Sequence, residues 1–141
     1  MKNDFIATLT TGKSAAEVFA IIKNVRGWWS GLFGEQFGGG SEKLNDEFTF
    51  RAGEGVHYSK QKLIELVPDK KLVWLVTESN LNFLNDKDEW TDTKIAFELS
   101  EQDGKTNIVS THIGLHPEIE CYKACSGAWS RYIHEQLKAL V

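Results

Sequence analysis

The sequence predicts an α+β fold, a curved antiparallel β-sheet wrapped round one long C-terminal helix. Three observations predict it. From Glu47 onwards, short segments of alternating apolar and polar residues follow one another, separated by brief turn signals. A single clear helical pattern precedes them, and a long amphipathic pattern follows them after Pro117. Strands joined by short turns pair antiparallel. A sheet with one apolar face must be covered, and the last helix is the available cover.

The elements follow in order. Residues 5–10 alternate Phe5, Ala7 and Leu9 against Ile6, Thr8 and Thr10, a strand pattern. Ser14, with Glu17 three residues on, is the capping box of a helix start. Ala15, Val18, Phe19 and Ile22 then give that helix one apolar face, with Asn24 and Gly27 as stops. Residues 30–46, centred on Gly38-Gly39-Gly40-Ser41, read as a glycine-rich mobile loop. Strands are expected over 47–52, with Phe48 and Phe50 on one face, then over 58–67 and 71–77, with Gly53-Glu54-Gly55 and Pro68-Asp69 as turns. Residues 78–91 form a long polar loop carrying Leu81, Phe83, Leu84 and Trp90. A hairpin then joins 93–100 to 105–113 through Asp103-Gly104, with Ile108, Ser110 and His112 on one face. Ile119, Tyr122, Cys125, Trp129, Tyr132/Ile133, Gln136 and Leu140 recur at helical spacing.

Composition narrows the function. A chain of 141 residues is expected to be one domain spanning 1–141, large enough to bury a sizeable core. The net charge is −4 and no basic run occurs, which disfavours nucleic acid as a partner. No apolar run approaches the roughly 20 residues of a membrane span. The opening Met1-Lys2-Asn3-Asp4 lacks the apolar region of a secretory leader, and the two cysteines make no disulfide framework, so a cytoplasmic protein is expected. Five tryptophans, Trp28, Trp29, Trp74, Trp90 and Trp129, are spread over helix, strand and loop. Each buries a large area and needs a partner for its N–H. This scatter points to one aromatic-lined pocket, with core packing as the alternative reading.

Several strings, in this order and spacing, carry a resemblance to a known family. They are Glu17-Val18-Phe19, then Arg26-Gly27-Trp28-Trp29, then Glu65-Leu66-Val67-Pro68-Asp69-Lys70 running into Val73-Trp74. They continue with Asp88-Glu89-Trp90-Thr91-Asp92-Thr93, Thr111-His112-Ile113-Gly114-Leu115, and Glu120-Cys121 through Gly127-Ala128-Trp129 to Leu137. The chain resembles the START-like, or SRPBCC, superfamily, and within it the group related to the C-terminal domain of the activator of heat-shock chaperone ATPase. The resemblance implies the helix-grip fold with a hollow centre between sheet and helix. The superfamily holds lipid carriers, aromatic polyketide cyclases, hormone receptors and chaperone regulators, and fold alone does not choose among them. The resemblance is to one domain of the eukaryotic co-chaperone, and its separate N-terminal chaperone-binding domain is not expected within these 141 residues.

The residues expected to line a ligand site are Trp28, Trp29, Phe48, Phe50, Tyr58, Trp74, Phe83, Trp90, His112, Trp129 and Tyr132. The aromatic rings would supply stacking area, while His112 and Tyr132 would orient polar groups. The loops at 38–41 and 78–91 would gate entry. His57, just before a strand, is expected at a mouth or on the surface. Cys121 and Cys125 share a helix face, and with His112 and His116 they could reach four metal ligands, but the spacing is not that of a zinc site. Neither a metal nor another cofactor is therefore expected. Thr11-Gly12-Lys13-Ser14 looks like the end of a phosphate-binding loop but has Ala7 where that motif needs glycine. Asp86, Asp88, Glu89 and Asp92 could supply a general base or simply form a solvated loop. No nucleophile arrangement is legible, so an enzyme is the less favoured class. The leading expectation is a binding protein, monomeric or homodimeric, for a small apolar or aromatic molecule or a lipid. A chaperone-ATPase-regulating interaction module and a polyketide cyclase-like enzyme are the alternatives.

Overall fold

The computed structural model describes residues 4–30, 32, 34–53, 57–81, 85, 90–115 and 122–141. The chain opens with strand β1 (Phe5–Thr11), helix α1 (Ala15–Lys23) and the single turn α2 (Val25–Trp28). Six strands follow: β2 (Gln36–Gly39), β3 (Glu47–Ala52), β4 (His57–Val67), β5 (Lys71–Leu81), β6 (Lys94–Gln102) and β7 (Lys105–Ile113). Helix α3 (Tyr122–Arg131) continues through a π-helical segment (Tyr132–Leu137) into a last turn, α4 (Lys138–Leu140).

The strands form one antiparallel sheet in the order β1-β7-β6-β5-β4-β3-β2. Helices α1 and α2 carry the chain from one edge of this sheet to the other. The α+β helix-grip arrangement expected from the sequence is the one found. Helix α1 starts where the capping box places it: the Ser14 hydroxyl accepts from Glu17 N–H at 3.2 Å, and Lys13 and Gly12 serve only as the lead-in. Its buried face is Ala15, Val18, Phe19 and Ile22. Period-2 alternation aims Phe48 and Phe50 of β3, Leu72, Trp74 and Val76 of β5, Ile95, Phe97 and Leu99 of β6, and Ile108, Ser110 and His112 of β7 at the covered face. These residues, with the buried faces of α1, α2 and the C-terminal helix, make one core.

Three local expectations are corrected. The glycine-rich segment is not a loop throughout, because β2 pairs with β3 as an edge strand. Its glycines permit close approach: a Cβ on Gly39, whose φ is +85°, would run into the Glu47 carbonyl. The segment is also fastened by Gly40 N–H to Glu47 O at 3.1 Å, Ser41 Oγ to Lys23 O at 2.6 Å and Arg26 to the Gly39 carbonyl at 2.9 Å. Second, β5 runs on to Leu81, so the first residues of the expected loop at 78–91 are strand. Third, the π-helical segment changes the phase of the last helix. Leu137 is buried completely, whereas Leu140, expected inside, is 42% exposed. No helix among the described residues is long and apolar enough to cross a membrane.

Candidate functional site

Between the covered sheet face and the C-terminal helix, the structure gathers nine of the eleven expected residues. All five tryptophans are at most 3% exposed. Trp29 stacks on Phe50 with ring centres 4.6 Å apart, and meets Trp129 edge-on at 4.8 Å. Trp28 stacks on Trp29 at 5.8 Å and meets Trp129 edge-on at 5.6 Å. Phe48 bridges Trp29 and Trp74, and Tyr132 borders Trp129 and Phe50. The tight turn of α2 is what sends two consecutive tryptophans inward, with Trp29 N–H bonded to the Val25 carbonyl at 2.8 Å. The indole N–H of Trp28 ends on the Ile22 carbonyl at 2.9 Å.

Two expected residues stand apart. Phe83 lies outside the described residues. Tyr58 is on the opposite face of the sheet, where the Arg51 guanidinium covers its ring at 4.6 Å and Glu78 is 3.4 Å from its hydroxyl. Alternation along β4 explains this: Ser59, Gln61 and Leu63 are fully buried, so their even-numbered neighbours Tyr58, Lys60 and Lys62 face outward. The same alternation turns His57 inward as a partly buried residue, so of the two expected positions, a mouth or the surface, the surface one is excluded. Its ring lies edge-on to Trp90 at 4.7 Å and to Phe50 at 5.3 Å. The lysines alternating with Ser59, Gln61 and Leu63 were the sequence signal for this face.

A polar set is embedded in the aromatic one. His112 is fully buried, 4.6 Å from Trp90 between ring centres and 6.3 Å from Trp129. Its Nε2 is 2.9 Å from Thr93 Oγ1, which in turn donates to the Trp90 carbonyl at 2.6 Å. Burial pushes the His57 imidazole down to about 4 from an ordinary 6.5. Burial, and the His57 imidazole nearby, push His112 down to about 3. Both rings are therefore neutral at pH 7. Gln61 Nε2 donates to Ser59 Oγ at 2.5 Å. Among the described residues, six buried side-chain polar atoms have no hydrogen-bond partner: His57 Nε2, Gln61 Oε1, Trp74 Nε1, Ser110 Oγ, His112 Nδ1 and Trp129 Nε1. All six belong to residues directed between the sheet and the last helix. At the other end, Tyr132 donates its hydroxyl to Glu35 at 2.5 Å. Burial, followed by this carboxylate, holds the Tyr132 phenol well above its usual range. It is a fixed donor at neutral pH.

The remaining motifs separate. Cys125 is buried and free, while Cys121 and His116 lie outside the described residues. Among the described residues no cluster of His, Cys, Asp and Glu could hold a metal ion. Asp86, Asp88 and Glu89 also lie outside them. Asp92 sits in a left-handed turn (φ 74°) with its N–H bonded to the Val76 carbonyl at 2.8 Å. On the opposite face of the sheet, Ile64, Val73, Ala96 and Ile113 line a shallow cleft of about 260 Å³ with Lys71, Lys94, Glu65 and Glu98 among its rim.

Solved structures share this architecture. The Aha1 dimer from Colwellia psychrerythraea superposes with a TM-score of 0.74 at 18% identity, over 98% of this chain and 96% of that one. An HSP90 activator from Plasmodium falciparum gives 0.61 at 16% identity, over 97% and 95%. DynU16, a protein in the dynemicin biosynthetic locus, gives 0.64 at 10% identity, over 98% of this chain but 47% of its own. At these identities the likeness is one of fold. No curated protein matches the chain in sequence. The profile of one family, however, covers residues 17–141, which is most of the chain and includes every residue of the aromatic and polar set. On that match, the chain belongs to the family of activator of Hsp90 ATPase homolog 1-like proteins.

Proposed function

We propose that this protein is a small-molecule binding protein. It would hold an uncharged, largely aromatic molecule between the inner sheet face and the C-terminal helix. One observation carries this reading: six unpartnered polar atoms, each buried on the covered side of the sheet, where the aromatic rings pack. Buried polar groups in native proteins are nearly always hydrogen-bonded. Leaving one unsatisfied costs about 1–3 kcal/mol. Six on one side of a sheet make a poor core but a good lining, offering stacking faces, indole N–H donors and imidazole and amide acceptors. Both histidines are neutral, so the lining favours neutral ligands over ions. The test is native mass spectrometry of gently purified protein against its denatured mass. It is paired with the indole N–H signals of Trp74 and Trp129 in the presence of uncharged aromatic compounds. A released aromatic mass, or shifts confined to those two indoles, is expected. A clean mass with unmoved indole signals would count against the reading.

A second reading is regulation of a chaperone ATPase. It is favoured by the family match and by the cleft on the outer sheet face, whose apolar floor and mixed-charge rim suit a protein partner. Stimulation of an Hsp90-type ATPase, lost in an Ile113→Glu variant, is what this reading expects. An unchanged ATPase rate at micromolar protein would remove it.

A further inference from the structure

The hydrogen bonds around Thr93 determine which nitrogen of His112 carries the proton. A threonine hydroxyl has one hydrogen. That hydrogen is committed to the Trp90 carbonyl, a pure acceptor 2.6 Å away. The same oxygen lies 2.9 Å from His112 Nε2, so it must accept there, and Nε2 must carry the N–H. A neutral ring protonated on Nε2 has a bare lone pair on Nδ1. That Nδ1 is buried and has no partner.

The surroundings are built to keep Thr93 in place. Its carbonyl accepts from Val76 N–H at 2.9 Å, and its own N–H reaches the Trp90 carbonyl at 3.0 Å. Gly114 passes so close that a Cβ there would come within 2.7 Å of Thr93 Cγ2, at a backbone φ of +104° that favours glycine. Two other unpartnered groups on this side are donors: the Trp129 indole N–H, on a ring 6.3 Å from that of His112, and the Ser110 hydroxyl, two residues away on the same face of β7. The covered side thus carries an acceptor on His112 together with unpartnered donors on Trp129 and Ser110.

We infer that Thr93 and Gly114 are positioning residues that lock His112 as a hydrogen-bond acceptor through Nδ1, and that the molecule held here is a hydroxylated aromatic in its un-ionised form. Its hydroxyl donates to His112 Nδ1. Its ring lies among Trp90 and Trp129. The inference rests on the binding reading above and adds to it a direction of hydrogen bonding and a ligand class.

The test has two independent parts. In nitrogen-15 histidine spectra of the whole protein at pH 7, His112 should show a protonated Nε2 and an unprotonated Nδ1. In tryptophan-fluorescence titrations, 2-naphthol should bind about tenfold or more tightly than 2-methoxynaphthalene or naphthalene, which cannot donate, equivalent to about 1.4 kcal/mol. Thr93→Val keeps the shape but removes the acceptor for Nε2–H. It should give a mixed tautomer and shrink the naphthol preference, and Thr93→Ser should restore both. A His112 ring protonated on Nδ1, or on both nitrogens, overturns the inference whatever binds. Equal affinity for the three naphthalenes overturns the ligand class while the binding reading stands. Failure of all three to bind overturns the ligand class and the binding reading together.

Discussion

Trp129 touches Trp28, Trp29, His112 and Tyr132, yet its indole nitrogen has no partner. The ring and the N–H can therefore be separated by mutation. Trp129→Ala removes both and should cost about 3–5 kcal/mol of stability, read from urea unfolding. Trp129→Phe keeps most of the packing and removes an N–H that satisfies nothing within the protein. It should stay folded, with any affinity for a carbonyl-bearing aromatic compound reduced. A Trp129→Phe variant as unstable as the alanine variant would mean that the indole is needed for packing alone. The histidines speak through pH. The unfolded chain takes protons on them near 6.5, the folded protein only near 4 for His57 and 3 for His112. Between those values the unfolded state binds more protons, so stability is full above pH 6.5 and is lost as the pH falls towards 4 and then 3. For His57 the full loss is on the order of 3 kcal/mol. His57→Phe, which keeps an aromatic ring beside Trp90, should flatten the slope of unfolding free energy between pH 6 and 4. An unchanged slope would show that His57 does not titrate as described.

At the scale of elements, the π-helical segment has the clearest consequence. A regular helix carrying Cys125, Trp129 and Ile133 inward would next present Gln136 and Leu140, as the sequence spacing suggested. The wider turn over Tyr132–Leu137 brings Leu137 to the core instead, leaves Leu140 half-exposed, and lets Gln136 reach the Ser30 carbonyl at 2.7 Å. Leu137→Ala should accordingly cost about 2–5 kcal/mol. Leu140→Ala should stay within about 1 kcal/mol, as partly exposed positions do. Equal losses in thermal or urea unfolding would return the helix to the regular phase. The segment begins at Tyr132, whose hydroxyl is tied to Glu35, so the change of pitch and the polar end of the site share one residue. Edge strand β2 makes a related point. Its glycines look like loop chemistry in the sequence, and only the partner strand β3, passing close enough to exclude a Cβ, makes them strand residues.

For the whole molecule, the two faces of the sheet differ in chemistry. The inner face is aromatic with buried, unsatisfied polar groups, and the outer carries the apolar cleft with charges at its rim. Substitution on one face should leave the function of the other intact, which allows the binding and chaperone readings to be separated in one protein. The sequence by itself determined the class of fold, the capping of α1, the hairpin at Asp103-Gly104 and the inward faces of β1, β3, β6 and β7. Each of these depends on residues a few positions apart, whose periodicity and turn chemistry are written locally. It also drew the family likeness from the order of its strings. Only the tertiary structure decided that His57 points inward and Tyr58 outward, that Thr93 is hydrogen-bonded to His112, and that the glycine segment is an edge strand. Those outcomes depend on register between strands and on contacts between residues distant in sequence, such as Thr93 with His112. Sequence periodicity says which residues share a face and is silent on which partner that face will meet.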